Sequence, residues 1–336
     1  MKTALLGQGL RFLRDVGRTK LGLRPNSPFV VGLTINTICN LRCSYCFIGR
    51  ESEHFPEGFA KQGMPGEQIK QLLTNVRKDT GLLIITGGEP FLHKDLEEVL
   101  RFAKEDLRFV NISVATNAMF LKKRSSALRY IDRLGISYDF TRAREYPKEM
   151  GKMLESLKEL KAERVLPPVH FTMTVLKNED LSPFDDFAKF CGEQGFRIWM
   201  QPEREHGDFE DWEWFIGTME SLIKRFGRQL FLNDIGFVRG FRDGSAPLGC
   251  LPELRLHIQE DGNLCFPCNK LEHLYKGGSV LDATPMERWN QATKESGAFP
   301  NSSCGNCGFT CYFETGGLYR RPFQFARKAA KHMLSD

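Results

Sequence analysis

Short apolar runs alternate with segments of helical periodicity between residues 29 and 200. Strands are predicted over 29–38, 82–86, 110–116, 136–140, 169–176 and 196–200. Helices are predicted between them over 66–78, 96–104, 125–134, 146–162 and 184–194. A chain that repeats strand and helix in this way places its strands parallel in one sheet, and the shared hand of the crossovers makes that sheet curl. The sequence therefore predicts an α/β fold with its ligand loops at the carboxyl ends of the strands.

Three cysteines follow the first predicted strand in a C-x3-C-x2-C pattern: Cys39, Cys43 and Cys46. Three thiolates on one short loop can hold three irons of a cubane cluster and leave the fourth iron without a protein ligand. A structural zinc site and a redox-sensing group are the alternatives. Zinc sites more often use paired cysteines, and no fourth ligand lies near this loop in the sequence. The spacing therefore favours an iron–sulfur cluster with an open iron.

The second predicted strand runs directly into Gly87, Gly88 and Glu89. Glycines at the end of a strand allow a ligand to approach the backbone closely. Backbone carbonyl groups and the carboxylate of Glu89 can accept hydrogen bonds from an ammonium group. We therefore expect this segment to bind an amino group close to the cysteine loop.

These two motifs together resemble those of the radical S-adenosylmethionine (SAM) enzymes. In that family an aromatic residue precedes the last cysteine of the loop, and Tyr45 occupies that place here. The resemblance implies a partial (β/α)6 TIM-like barrel, a 4Fe-4S cluster on the three cysteines, and SAM bound through its methionine part to residues 87–89. It also implies reductive cleavage of SAM to a 5'-deoxyadenosyl radical, which removes hydrogen from an unactivated carbon. A reductant such as flavodoxin or ferredoxin would supply the electron.

The ends of the later strands supply further candidate residues. Thr116 and Asn117 resemble the Thr-Asn-Gly segment that many relatives place near SAM, with Ala118 in the position of the glycine. Ser137 resembles a serine that contacts SAM in some relatives. The candidate catalytic residues, chosen by strand position, are Asp139, Tyr138 and His170. For each of these residues the alternative is a local role in satisfying backbone groups.

Six cysteines near the C-terminus form a second metal-binding pattern: Cys250, Cys265, Cys268, Cys304, Cys307 and Cys311. Two of the spacings are C-x2-C, and closely spaced thiolates on turns converge on one centre. With the Asp261-Gly262 turn, the pattern resembles the SPASM or twitch extension of radical SAM barrels, although the full SPASM pattern has seven cysteines. We expect one auxiliary 4Fe-4S cluster, with two clusters or a zinc knuckle as alternatives. The remaining cysteine, Cys191, lies in a predicted helix and is interpreted as a core thiol.

Both ends of the chain combine apolar residues with basic ones. Residues 1–27 predict a basic amphipathic helix, and residues 318–336 a basic tail. Between them we expect the radical SAM barrel at 28–205, a linker with a helix at 206–248, and an α+β auxiliary-cluster domain at 249–317. The ends indicate contact with an anionic membrane surface and a lipid-linked substrate, and packing of the helix on the barrel is the alternative. Peptides and small sugars or alcohols are the other substrate classes, and an iron–sulfur electron carrier is the non-enzyme alternative.

Composition and the absence of certain motifs disfavour several other classes of protein. The chain of 336 residues has a net charge of +5 and ten cysteines. No signal peptide is visible, so metal binding explains the cysteines better than disulfides do. No apolar run is long enough to cross a membrane, and no nucleic-acid recognition motif is present. We therefore expect a cytoplasmic enzyme, peripheral on the inner membrane face where its ends bind lipid, and the sequence leaves its oligomeric state open.

Overall fold

An open sheet forms the centre of the computed structural model, which describes residues 2–46, 63–177, 179–203, 209–233, 235–241, 250–269 and 275–296, with Thr315, Gly316, Leu318, Tyr319 and Pro322. Within these residues the strands are β1 (Val30–Thr34), β2 (Leu82–Thr86), β3 (Asn111–Thr116), β4 (Arg133–Ser137), β5 (Val169–Val175), β6 (Arg197–Pro202), β7 (Arg255–Ile258) and β8 (Leu264–Cys265). Their order across the sheet is β6-β5-β4-β3-β2-β1-β7-β8. Strands β1 to β7 pair in parallel, and β8 pairs antiparallel with β7. The predicted parallel α/β sheet of a partial barrel is confirmed, and the barrel is open.

Helices connect the consecutive strands and cover one face of the sheet. In the described ranges they are α1 (Lys2–Lys20), α2 (Gly66–Asp79), α3 (Leu96–Arg101), α4 (Phe140–Glu145), α5 (Pro147–Ala162), α6 (Phe184–Gln194), α7 (Trp212–Phe226), α8 (Ile235–Val238) and α9 (Pro285–Ser296). Helix α3 continues as a π-helical turn over Phe102–Asp106. The bounds of β2 and α6 are those predicted from the sequence, because uninterrupted apolar or amphipathic runs define both elements.

The largest difference from the sequence prediction lies around β4. A 3-10 helix that ends at Tyr130 replaces the helix predicted over 125–134, and β4 begins at Arg133 and ends at Ser137 instead of continuing to residue 140. The strand ends early because the carboxylate of Asp139 accepts a hydrogen bond from the amide of Arg142 at 2.7 Å, which caps α4. The chain therefore turns into a helix immediately after β4, close to the cysteine loop.

The two faces of the sheet differ in chemical character. On the face that the helices cover, alternate strand residues such as Leu83, Ile85, Val114 and Met173 are buried. The intervening residues lie on the concave face and are mostly only partly buried. Many of these concave positions carry hydroxyl or amide groups: Thr34, Thr86, Ser113, Ser137, Thr172, Thr174 and Gln201. The concave face is therefore a polar surface that leads to the carboxyl ends of the strands.

Helix α1 lies across the amino ends of β1 and β2. The side-chain oxygen of Gln8 accepts a hydrogen bond from the amide of Gly81, just before β2, at 2.8 Å. Phe12 packs on Phe29, the residue before β1, with ring centroids 6.1 Å apart. In the part of the chain that the structure describes, no helix has the length and apolarity needed to span a membrane. One face of α1 thus packs on the barrel, at the opposite end of the strands from the cysteine loop.

The hairpin predicted near residues 254–264 forms and extends the sheet. Strands β7 and β8 pair through His257 and Cys265. Gly262 has φ = 84°, a left-handed conformation that favours glycine, and it closes the turn between the two strands. Helix α9 then packs its Trp289 against Phe266, with ring centroids 4.8 Å apart. The segment expected to begin the auxiliary domain is joined to the barrel through the edge of β1.

Candidate active site

The cysteine loop follows β1 and borders a cavity at the carboxyl ends of β2, β3 and β4. The cavity has a volume of about 80 Å3, and Cys39, Cys43 and Cys46 all line it. The amide of Cys46 donates to the carbonyl of Cys43 at 3.0 Å, which closes a tight turn between these two residues. The structure therefore brings together the three cysteines that the sequence pattern selected.

The thiols of the cysteine loop are partly or fully buried. Burial raises the pKa of Cys39 and of Cys43, so their thiolate forms require a nearby cation. Among the described residues, no three His, Cys, Asp or Glu side chains lie close enough to hold one ion. A four-iron cluster is wider than one ion and contacts each cysteine at a different corner. The three thiols line one cavity and are the donors that such a cluster uses.

Gly87 and Gly88 also line the cavity. A Cβ atom on Gly87 would lie 2.6 Å from the carbonyl oxygen of Asn36, and one on Gly88 would lie 2.3 Å from that of Ile38. The amides of Gly88 and Glu89 donate to these same two carbonyls, at 2.9 and 2.7 Å. Positions 87 and 88 thus require glycine because the backbone of the segment leading into Cys39 passes too close to them for a side chain.

Glu89 is fully buried and joins the end of β2 to the end of β3. Its carboxylate accepts hydrogen bonds from the hydroxyl of Thr116 at 2.7 Å, the amide of Asn117 at 2.7 Å and the amide of Phe91 at 3.1 Å. Burial raises the pKa of Glu89, and these hydrogen bonds oppose that rise. The carboxylate holds the strand ends in place, whereas Thr116 and Asn117 themselves line the cavity with Ser137.

Arg142, on the first turn of α4, is a site residue that the sequence prediction missed. Its Nε donates to Sγ of Cys43 at 3.3 Å, and its Nη2 donates to the hydroxyl of Tyr45 at 2.8 Å. The Tyr45 hydroxyl also donates to the carboxylate of Asp139. Burial alone would lower the pKa of Arg142, but Tyr45 and Asp139 raise it above its usual range. A permanently charged guanidinium therefore lies against one of the predicted cluster ligands.

Two unpaired polar atoms lie in or behind the cavity wall. Asn36 Oδ1 and Arg142 Nη1 are both buried, and neither has a hydrogen-bond partner within the described ranges. The Nδ2 group of Asn36 donates to the carbonyl of Glu89 at 3.1 Å, which turns Oδ1 towards Gly87. Arg142 lines the cavity directly. Within the described residues, a buried acceptor behind Gly87 and a buried cationic donor on a cavity-lining residue thus lack the partners that such groups normally have.

The other two predicted catalytic residues lie away from the cysteine cavity. Tyr138 stacks on Phe187, with ring centroids 4.3 Å apart, and burial raises its pKa to about 12. His170 lies on β5 next to Gly135 of β4, and burial lowers its pKa to about 4. Its Nδ1 has no hydrogen-bond partner in the portion of the chain described. Asp139, through Tyr45 and Arg142, is the predicted catalytic residue that the structure connects to the cavity.

Half of the second cysteine pattern lies in the described ranges. Cys265 is buried on β8, whereas Cys250 and Cys268 are partly exposed. The Nδ2 group of Asn269 lies 4.0 Å from Sγ of Cys265 and donates to it. The other predicted ligands lie outside the described residues: Cys304, Cys307 and Cys311. Cys191 is fully buried in α6, and burial raises its pKa, as expected for a core thiol.

A family model matches the part of the chain that carries the cysteine cavity. Residues 33–191 match the family model of the Radical SAM superfamily. This part of the chain is a radical SAM domain, and the protein is an enzyme. Radical SAM enzymes use a 4Fe-4S cluster and SAM and depend on a reductant.

Curated relatives and a solved structure are also similar to this chain. A GTP 3',8-cyclase of Limosilactobacillus fermentum is 37% identical over 112 residues, which are 32% of this chain and 33% of that protein. A probable GTP 3',8-cyclase of Methanococcus aeolicus is 28% identical over 285 residues, covering 78% of this chain and 91% of that protein. This chain aligns with only 33% to 52% of the length of several of the curated relatives. The crystal structure of Streptococcus suis SuiB bound to S-adenosylmethionine has a similar fold, with a TM-score of 0.64 and 16% identity over 84% of this chain and 71% of that one.

Proposed function

We propose that this protein cleaves SAM reductively and uses the resulting radical to remove a hydrogen atom from a carbon of its substrate. One observation carries the proposal. Asn36 Oδ1, behind Gly87 of the cavity wall, and Arg142 Nη1, on a residue that lines the cavity, are buried and unpaired within the described ranges, so they offer an acceptor and a cationic donor next to the cysteine cavity. A free amino-acid group carries an ammonium and a carboxylate, which need partners of these two kinds. The methionine part of SAM is such a group.

The proposed roles of the wall residues follow from their positions. Cys39, Cys43 and Cys46 would hold a 4Fe-4S cluster, reduced by a flavodoxin or a ferredoxin. When bound there, the cluster supplies the electron that breaks the bond between the sulfur and C5' of SAM, giving methionine and a 5'-deoxyadenosyl radical. Gly87 and Gly88 would present backbone groups to the methionine part, while Thr116, Asn117 and Ser137 would orient the remainder.

Asp139 and Tyr45 act on the site through Arg142 in this proposal. Asp139 caps α4 and accepts from the Tyr45 hydroxyl, so both residues fix the guanidinium against Cys43. Their role is to position a charged group and not to transfer a proton to the substrate. We propose no contact with SAM for Tyr138, because it stacks among phenylalanines. His170 on the concave face would contact substrate.

The concave face supports a substrate with a polar part, such as a sugar, an alcohol or a nucleotide. Hydroxyl and amide groups line this face up to the cavity, and they can pair with substrate hydroxyls. The relatives named GTP 3',8-cyclase support a nucleotide within this class. A lipid-linked substrate is the second candidate, because α1 exposes several leucines. Those leucines and the cavity lie at opposite ends of the strands, so the polar face carries more weight.

We also propose an auxiliary 4Fe-4S cluster in the C-terminal region. Its support is the sequence pattern together with the position of Cys265 on a hairpin that is fixed to the barrel edge, with Cys268 three residues after it. A cluster held there would lie on a rigid element, which would keep its distance from the substrate constant. Iron analysis separates one auxiliary cluster from two.

The test of the proposed function is SAM turnover under anaerobic conditions. The protein is reconstituted with iron and sulfide, reduced with dithionite and supplied with SAM, and 5'-deoxyadenosine is quantified. The parent and a Cys191→Ala variant should form it, while a Cys39→Ala, Cys43→Ala, Cys46→Ala variant should not. The parent should contain about eight irons and the triple variant about four. An iron-loaded parent that forms no 5'-deoxyadenosine, even with a nucleotide, sugar and lipid extract present, would support an electron carrier instead.

A further inference from the structure

The exposed apolar side chains of this protein are concentrated in one short segment. Seven large hydrophobic residues are exposed in the part of the chain described, and all but Val165 lie between residues 5 and 23. We call the six others the leucine patch: Leu5, Leu6, Leu10, Leu13, Leu21 and Leu23. Contiguous apolar patches on a protein surface generally mark a site of interaction, whereas single exposed leucines do not.

The patch faces outward because the opposite face of α1 is fixed to the barrel. Asp15 is buried and accepts hydrogen bonds from Arg14 at 2.8 Å and from the Ser27 hydroxyl at 2.6 Å. Val16 is also buried, and Gln8 is held by the amide before β2. Residues 6, 10 and 13 recur at intervals of four and three, so they lie together on the other side of the helix. The fold therefore displays these leucines and does not merely leave a loose terminus.

The charged residues of α1 itself are almost all basic. Residues 2–20 include five lysines and arginines and a single acid, Asp15, which is buried. A cavity of about 350 Å3 lies at the carboxyl end of the patch and is lined by Lys20, Leu23 and Arg24 among others. Leucines beside cationic side chains form the surface that an amphipathic helix presents to the interface of an anionic bilayer.

We propose that the leucine patch docks this protein on an anionic phospholipid bilayer, with α1 lying in the plane of the interface. A second copy of the chain fits this surface less well, because a symmetric contact would bring the basic residues of both copies together. The proposal is independent of the radical chemistry. It goes beyond the proposed function because it gives the enzyme a place of binding that is separate from its active site. Since α1 contacts the amino ends of the strands, docking turns the cysteine cavity away from the bilayer. The membrane is then a location for the enzyme, and the substrate enters from the aqueous side.

Vesicle co-sedimentation tests the proposal with the full chain. The vesicles are phosphatidylcholine alone and phosphatidylcholine mixed with phosphatidylglycerol. The parent should bind the mixed vesicles, and added salt should weaken that binding. A Leu6→Gln, Leu10→Gln, Leu13→Gln variant should lose roughly a hundredfold in partitioning, since three leucines would no longer enter the interface. Val165→Gln, which changes the exposed apolar residue outside the patch, is the matched control and should bind as the parent does.

Two further measurements keep the result unambiguous. The triple leucine variant should retain the thermal midpoint and the SAM cleavage of the parent, because the leucines are exposed and distant from the cavity. The molar mass of the parent in solution is compared with that of the variant. Equal vesicle binding by parent and triple variant, or no binding by the parent, overturns the proposal. A parent dimer that the triple variant loses would identify the patch as a contact between copies and would also overturn it.

Discussion

The most specific structural prediction concerns Gly88, where the end of β2 meets the segment that leads into the cysteine loop. A Cβ atom there would lie 2.3 Å from the carbonyl oxygen of Ile38. Carbon and oxygen atoms in contact normally keep about 3.3 Å apart, so Gly88→Ala must displace one segment by about 1 Å. The obstacle is a backbone atom, so a change of side-chain rotamer cannot relieve the contact and the backbone itself must move.

The displacement breaks hydrogen bonds that close the site. The amide of Gly88 donates to the Asn36 carbonyl at 2.9 Å, and the amide of Glu89 donates to the Ile38 carbonyl at 2.7 Å. Loss of each buried hydrogen bond costs roughly 1 to 2 kcal/mol, so we expect Gly88→Ala to lower the free energy of unfolding by about 3 kcal/mol. Because the displaced segment ends at Cys39, the variant should also bind less iron on reconstitution.

Urea denaturation of the iron-free protein and iron analysis after reconstitution measure these two effects. Gly151→Ala is the matched control, because a methyl group at this helical position would meet no atom within 4 Å. Alanine in a helix interior is favoured over glycine, so the control should gain about 0.5 to 1 kcal/mol. A Gly88→Ala protein with the urea midpoint and the iron content of the parent would refute the close approach of the two segments.

Three further predictions concern buried groups. Glu89→Gln should lower the free energy of unfolding by about 1 to 3 kcal/mol, since its amide group would face the Asn117 amide as a second donor; urea midpoints measure this, and an unchanged midpoint contradicts it. His170 has its pKa lowered to about 4, so its stabilising contribution is complete above pH about 6.5 and is lost as the pH falls towards about 4. His170→Gln should therefore reduce the loss of unfolding free energy between neutral pH and about pH 5 by about 2 kcal/mol. Equal pH profiles of stability for variant and parent would contradict this. Cys191→Ala should keep the full iron content, and any loss of cluster iron would contradict its assignment as a core thiol.

The fold could largely be predicted from the sequence because burial leaves periodic signals. Strand β2 and helix α6 have the bounds that their apolar patterns predicted. The prediction failed around β4, where the capping of α4 by Asp139 ends the strand early. A cap of this kind depends on one side chain, and hydrophobic periodicity does not reveal it.

The cysteines and glycines of the site were predictable because each motif is local in sequence. Arg142 was missed because it contacts Cys43 across 99 positions of the chain, and no local pattern marks such a pair. Asn36 was missed because a single polar residue after a strand is common. The part of Glu89 in joining β2 to β3 was likewise not predictable, since Thr116 and Asn117 reach it only through the parallel pairing of the strands.

The leucine patch shows a different limit of sequence reasoning. The spacing of Leu6, Leu10 and Leu13 predicted an amphipathic helix, but spacing does not say which face packs on the barrel. The structure places a face with Gln8 and Asp15 against the barrel and leaves the leucines outside. The polar contacts of the buried face decide this, and they involve residues that are distant in the sequence.

The central claim is that Cys39, Cys43 and Cys46 hold a cluster with an open iron that binds SAM. Electron paramagnetic resonance of the dithionite-reduced protein, recorded with and without SAM, tests it most directly. In the parent, SAM should change the shape and position of the signal of one cluster. The triple alanine variant should lack that signal and show no response to SAM. A reduced, iron-loaded parent whose spectrum SAM leaves unchanged, or a triple variant that still responds, would contradict the account.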